Sequence, residues 1–330
     1  MEPTVFLVVL ASLFLGWSAG ANDAASAVGT PIGAGTIGRR TAILIVVVFS
    51  VIGFLLQGQY VSKSVGAGLL PNGVFENKSM LLAAIASVAI TTIFTIVLSL
   101  PISINHALVG GILGVGLMSG MISDLNHSIL YGIIACWLTT PLISFMLTVF
   151  FHKFVVTPVA SRMNWVDFSK AFKFLSVCGA IAVSYNLGAS AISTILSPLL
   201  SSDIAESLRL DGMLTVQTVL GLLIAVAFGL GVVTFSGRVI RTISSKIALL
   251  GPSTAFSAQF CAALTVYFFV LLGLPASITH AIVGGIAGIG VLKNTRTLSS
   301  RTLTVIILGW IFTPIVSALL AVGIFNVLLL

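Results

Sequence analysis

Two features of this chain place polar chemistry where it is expensive. The first is a carboxylate. Asp23 lies in Gly20-Ala21-Asn22-Asp23-Ala24-Ala25-Ser26-Ala27-Val28-Gly29-Thr30, inside an apolar stretch that starts at Thr4, and no other acidic residue falls within an apolar span. A carboxylate at that depth marks an ion or substrate pathway; the plainer alternative is a helix end at the membrane edge whose Asp faces water. The second feature is a pair of proline-led blocks, Pro101-Ile102-Ser103-Ile104-Asn105-His106-Ala107 and Pro275-Ala276-Ser277-Ile278-Thr279-His280-Ala281. Proline suits the start of a helix, and Ser103 or Ser277 can cap it. A helix N-terminus inside a membrane offers free N–H groups and the positive end of its dipole, which suits a small oxyanion. Here the plainer alternative is a proline kink between packed helices.

The charge balance of such a site is informative. No Lys or Arg lies within the apolar spans away from their loop-flanking ends, so a bound anion has no buried cationic side chain, and Asp23 repels it. The arrangement makes sense if a cation sits between carboxylate and anion, or if Asp23 is protonated on loading. Asn22, Ser26, Asn186 and Ser190 supply neutral oxygens suited to Na⁺, which places a candidate Na⁺ position at Asp23. The expected activity is therefore cation-coupled anion transport. His106 and His280 read as structural groups that donate to backbone carbonyls, with a proton relay as the alternative. Thr91 and Thr265 match each other, and Gln259 is a polar residue in an apolar span that is expected to reach towards the cavity.

These residues need a membrane scaffold to position them. The chain is 58% hydrophobic and 7% charged, against roughly 25% charged for soluble domains, so it reads as an all-α polytopic membrane protein. Ten apolar segments are expected, at 4–28, 41–59, 80–100, 104–121, 127–152, 172–199, 213–235, 254–274, 278–292 and 303–329. The fourth and ninth are short, glycine-rich and preceded by proline, and read as half-helices or re-entrant hairpins. Cys136, Cys178 and Cys261 lie in apolar segments without CxxC spacing and read as core residues. Ser18-Ala19-Gly20-Ala21 has the look of a signal-peptide cleavage site, but the preceding region holds Glu2 and no Lys or Arg, which argues against one.

Charge fixes the expected orientation. If every segment crosses once, twelve of the fifteen basic residues share one side: Arg39, Arg40, Lys153, Arg162, Lys170, Lys173, Arg238, Arg241, Lys246, Lys293, Arg296 and Arg301. Lys63, Lys78, Arg209, Glu2, Glu76, Asp124, Asp203, Glu206 and Asp211 fall on the other. The basic loops are expected in the cytoplasm and both termini outside, in the cell membrane. The net charge of +7 is thereby a topology signal, not a nucleic-acid footprint.

The second half repeats the first. The proline-led blocks, extended to Leu100–Ile112 and Leu274–Ile286, match at an offset of 174 residues. Trp137-Leu138-Thr139-Thr140-Pro141 matches Trp310-Ile311-Phe312-Thr313-Pro314 at 173, and Gly20–Thr30 matches Ser184–Thr194 at 164. Five segments per half is an odd number, so the halves are expected to enter the membrane with opposite orientation, as inverted-topology repeats whose site lies between them near the midplane. The expected division is a first repeat over 1–157, a cytoplasmic linker over 158–171 and a second repeat over 172–330.

Taken together, these blocks resemble the inorganic phosphate transporter family (the PiT or phosphate permease family). Its Gly-Ala-Asn-Asp-x-Ala-Asn-Ala motif is similar to Gly20–Ala27, with Ser26 in place of the second Asn. Its Pro-x-Ser-Thr-Thr-His-Ala motif is similar to Pro101–Ala107 and Pro275–Ala281, and Gly237–Ile243 with Lys246-Ile247 looks like its second-half cytoplasmic loop. The resemblance implies an inverted-repeat secondary transporter that imports inorganic phosphate with Na⁺ or H⁺. By matching position, Asn22 and Asp23 would hold cation and substrate, Ser103, Asn105, Ser277 and Thr279 would line the anion site, and Asn186 would serve both ions. The chain departs from the family at Leu187, where the family has Asp, and at Ile104, Ile278 and Asn105 in the Ser-Thr-Thr runs. Sulfate or another oxyanion on the same scaffold is the rival substrate, and a passive anion channel the rival mechanism. An enzyme is not expected, since HExxH, Gly-x-Ser-x-Gly and a carboxylate partner for Asp23 are all missing from the sequence. No cofactor or nucleic-acid partner is expected beyond the coupling ion, phosphate and the bilayer; a homodimer is left open.

Overall fold

The computed structural model describes residues 2–70, 73–200, 202, 215–293 and 298–329, with backbone alone at 59–68, 73 and 74. The expectations for Asp203, Glu206, Arg209, Asp211 and Arg296, and for the side chain of Lys63, lie outside the described residues. No strand occurs among the described residues. The main helices are α1 (Pro3–Gly33), α2 (Arg39–Leu69), α3 (Lys78–Val97), α4 (Ile104–Met118), α5 (His127–Phe151), α6 (Trp165–Leu187), α7 (Ser193–Leu200), α8 (Val216–Phe235), α9 (Pro252–Leu271), α10 (Ile278–Leu292) and α11 (Ser300–Leu328). A π-helical turn over Gly188–Ile192 joins α6 to α7 without a break.

Among the described residues, eight helical stretches are long and apolar enough to cross a membrane, while α4 and α10 are shorter. Each of these two has 15 residues, about 22 Å at 1.5 Å per residue, short of the roughly 30 Å hydrocarbon core. They are the expected half-helices. α5 and α11 expose large apolar side chains such as Leu138, Leu142, Met146, Leu319 and Val327, the surface a lipid solvent requires.

Two boundaries differ most from the sequence reading. α2 runs past the expected end at 59 to Leu69. Gln57, Gln59, Ser62, Lys63 and Ser64 end the apolar run there, but they do not end a helix whose hydrogen bonds are all internal. α6 starts at Trp165, inside the expected linker, because Asn164 caps it: its Oδ1 accepts the Asp167 N–H at 2.9 Å.

The packing is paired across the halves. α1 lies against α3 and α8, and α6 lies against α9 and α2. The last helix of each half packs on the short helix of the other, α11 on α4 and α5 on α10. These crossings are close because small residues let backbones touch. A Cβ on Gly110 would stand 2.1 Å from the Pro314 carbonyl oxygen, and one on Gly284 would stand 2.2 Å from that of Pro141. The chain enters both half-helices through the same turn. Ser99 and Gly273, which match at the 174 offset, have φ of 60° and 72°, and Ser103 and Ser277, each two residues after a proline, hold extended backbone leading into α4 and α10. Glycine suits that left-handed conformation; Ser99 carries its strain of ~1–3 kcal/mol in a turn whose carbonyl accepts from Thr242 Oγ1 at 2.8 Å.

Loop contacts gather the connections into two groups. Glu2 at the start of α1 pairs with Lys78 at the start of α3, which holds the Glu2 carboxyl below its ordinary range, and the Asn126 N–H donates to Leu69 at the end of α2. Elsewhere Gly33 packs on Ser244, Thr242 on Ser99, and the Ser299 N–H donates to Ile247. This second group contains the basic segments that flank Arg39, Arg241 and Arg301.

Candidate functional site

Asp23 sits within α1, and its neighbour Asn22 positions it. The Asn22 amide donates at 2.8 Å to Asp23 Oδ1 and at 2.8 Å to the Ile102 carbonyl, while its own oxygen faces the Ile102 N–H at 3.4 Å. Asn22 therefore fastens the loop that enters α4 to the middle of α1. Asp23 is 7% exposed. No salt bridge to it occurs among the described residues.

The two proline-led loops are cross-linked at matched positions. The Asn105 amide donates to the Pro275 and Ala276 carbonyls at 3.0 and 3.1 Å, and Thr279 Oγ1 donates to the Ile102 carbonyl at 3.3 Å. Ile102 and Ala276 correspond at the 174 offset, so each motif binds the same carbonyl in the other. The first turns of α4 and α10 are thus held side by side, and their leading N–H groups have no intrahelical acceptor. Ser277 caps α10 as expected, accepting the His280 N–H at 3.3 Å. Ser103 occupies the equivalent position on α4 but makes no side-chain cap, a correction to the sequence reading that leaves its hydroxyl uncommitted to the helix.

A small polar cavity lies where these parts meet. It is lined by Asp23, by Ser103, Ile104 and Asn105 of the first block, by Ala276 to Thr279 of the second, and by Leu187, Ser190 and Ala191 of the α6–α7 junction. The centre of a water-sized sphere has about 20 Å³ there, close to the ~10–15 Å³ needed for one water. Its walls offer hydroxyls, two helix N-termini and one carboxylate, and no Lys or Arg. Groups of this kind can hold an oxyanion at the N–H groups and a hard cation between it and the carboxylate.

Of the residues expected from sequence, Asp23, Ser103, Asn105, Ser190, Ser277 and Thr279 line the cavity. Asn22 and Ser26 stand just behind it; Ser26 Oγ is 2.8 Å from Thr279 Oγ1. Asn186 is turned elsewhere. Its amide donates to the Ala263 carbonyl at 2.8 Å, on a groove bounded by Tyr185, Phe260 and Tyr267. Gln259 does not reach the cavity either: its amide donates to the Ala27 carbonyl at 2.6 Å. Thr91 and Thr265 bond to carbonyls four residues back at 2.7 Å each. His106 and His280 donate from Nδ1 to the Trp310 and Trp137 carbonyls, 3.1 Å each, and stack on Trp137 and Trp310 with ring centres 3.7 Å apart. They pin α5 and α11 across the half-helices, the structural role expected of them. Ser190 comes to the wall at a π-helical turn, a feature frequent at functional sites for which the sequence carried no signal.

Comparison with known proteins bears on the family and the fold. A sequence profile of the Phosphate transporter family matches residues 19–321. A Pyrococcus horikoshii protein named as a candidate phosphate permease is 25% identical over an alignment of 402 positions, covering 100% of this chain and 99% of its own. Inorganic phosphate transporter 2-1, chloroplastic, of Arabidopsis thaliana is 26% identical, covering 96% of this chain and 71% of its own. A solved structure described as the sodium-dependent phosphate transporter superposes with a TM-score of 0.84 over 99% of both chains at 22% identity, a likeness of fold.

Proposed function

The chain belongs to the phosphate transporter family, and from that premise we propose that it is a secondary active importer of inorganic phosphate driven by a cation, Na⁺. One observation carries this reading: two half-helix N-termini share a cavity with a single carboxylate and no basic side chain. The anion is held by N–H groups of α4 and α10 and by the hydroxyls of Ser103, Ser277 and Thr279. Asp23 then needs a cation beside it, and the surrounding neutral oxygens of Ser190 and Asn105 suit Na⁺ better than a proton. The sodium dependence named for the solved relative supports the same choice.

Phosphate is favoured over sulfate by the carboxylate. HPO₄²⁻ keeps a proton that Asp23 can accept in a hydrogen bond; sulfate at neutral pH has none and is only repelled. Proteoliposomes given an inward Na⁺ gradient should accumulate radiolabelled phosphate, and excess sulfate should leave that uptake nearly unchanged. Uptake of sulfate that phosphate fails to compete, or phosphate flux that only equilibrates, would reject the reading in favour of a sulfate carrier or a channel.

The halves are read as inverted repeats, with 1–157 and 172–330 related across the cavity, both termini outside and the basic loops in the cytoplasm. Two groups of loop contacts at separate places, one of them carrying Arg39, Arg241 and Arg301, support this orientation. In a cysteine-free background, an impermeant thiol reagent applied outside intact cells should label a cysteine at position 124 and spare one at 241. The opposite pattern sinks the orientation.

A further inference from the structure

We propose that Thr30 and Thr194 are transit ligands for the coupling cation, one on each side of the cavity, an inference that rests on the cation-coupled reading above. The two residues close the matched stretches of the repeat. Each lies one helical turn, about 6 Å, further along the helix from a serine at the site: Thr30 after Ser26, which stands behind the cavity against Thr279, and Thr194 after Ser190, which lines it. Both are fully buried, at 0% exposure, and neither hydroxyl has a hydrogen-bond partner among the described residues.

That is not the ordinary fate of a hydroxyl in these helices. A buried Ser or Thr usually bonds to a carbonyl three or four residues back, as Ser12, Ser18, Thr92, Thr95 and Ser184 do here. A buried hydroxyl with no partner destabilises the state that contains it, and the same defect at both copies of one repeat position is a shared feature of the two halves. Ser193, beside Thr194, is also buried and unpaired among the described residues, its oxygen set against Gly58 of α2.

Unpaired neutral oxygens are what a hard cation needs when it gives up water. On the inverted-repeat reading above, the two hydroxyls lie on opposite sides of the cavity. α1 runs on from Thr30 to Gly33, which packs on Ser244 beside the basic segment. α7 runs on from Thr194 to Leu200 and packs on α2. When the cavity opens to one side, the cation leaving Asp23 meets the Thr30 oxygen on the one route and the Thr194 oxygen on the other.

The test uses Thr30→Val and Thr194→Val in the full-length carrier, with Thr→Ser at each position as the conservative control. Removing an unpaired hydroxyl should leave the thermal midpoint unchanged or raised. Thr194→Val should raise the external Na⁺ concentration for half-maximal phosphate uptake at least tenfold and leave the internal Na⁺ dependence of efflux within twofold; Thr30→Val should do the reverse, and both serine variants should behave as wild type. Wild-type Na⁺ dependence in both directions for both valine variants overturns the inference. So does a lowered midpoint with equal loss in both directions, the mark of a packing residue. A wild-type carrier whose uptake ignores Na⁺ fails the functional reading itself and takes this inference with it.

Discussion

Asp23→Asn is expected to abolish accumulation of phosphate against its gradient while leaving the fold standing. The substitution keeps the shape of the side chain and an oxygen for the Asn22 amide to reach, at the place where that amide now donates to Asp23 Oδ1 at 2.8 Å. It removes the only charge among the described residues of the cavity wall. Interactions with a charged group contribute about 1.5–3 kcal/mol each, so losing the ligand that holds the cation should reduce Na⁺-driven uptake by roughly ten- to a hundredfold or more. The thermal midpoint should stay level or rise, because a buried charge without a cationic partner is costly. Wild-type accumulation with wild-type Na⁺ dependence in this variant would make Asp23 a structural residue and remove the basis of the mechanism.

Leu187→Asp is expected to steepen the Na⁺ dependence of uptake. Leu187 is 1% exposed and lines the cavity with Asp23, at the matched position of the repeat. A second carboxylate there sets two like charges in one small space, which drives one of them to bind a proton or a cation. With Ser190 already on the same wall, the new carboxylate has an oxygen neighbour with which to share an additional Na⁺. The wild type, with its single carboxylate, should show a lower Na⁺-to-phosphate ratio than the variant. The Hill slope of uptake against Na⁺ should rise in Leu187→Asp, uptake at low Na⁺ should fall by roughly tenfold, and Leu187→Asn should keep the wild-type slope. An unchanged slope in a folded, active Leu187→Asp protein contradicts the stoichiometry argument.

Much of the site was legible because it depends on residue type and spacing. One carboxylate in an apolar span pointed to Asp23, and two copies of a proline-led block pointed to α4 and α10. Their shortness follows from counting residues against the thickness of a membrane. The parts that were not legible depend on tertiary partners. Asn186 matches Asn22 in type and repeat position, yet one amide reaches Ile102 and the other Ala263; nothing in either local sequence distinguishes those acceptors. Ser103 and Ser277 are the same residue at the same position, and only one caps its helix. The acceptors that join the two loops are the backbone carbonyls of Ile102, Pro275 and Ala276, groups that every residue possesses. The end of α2 was missed for a related reason: hydropathy follows side chains, and a helix can outlast its apolar run.

The central claim is that phosphate and Na⁺ occupy one cavity beside Asp23. It is tested most directly by equilibrium binding to the purified carrier, with radiolabelled phosphate titrated at several Na⁺ concentrations and Na⁺ binding measured with and without phosphate. Linkage requires that each ligand strengthen the other by the same factor. The account predicts that phosphate affinity rises at least tenfold with Na⁺, that phosphate raises Na⁺ affinity equally, and that both effects vanish in Asp23→Asn. Phosphate affinity that is independent of Na⁺ in the wild type, or reciprocal strengthening that survives in Asp23→Asn, would contradict it.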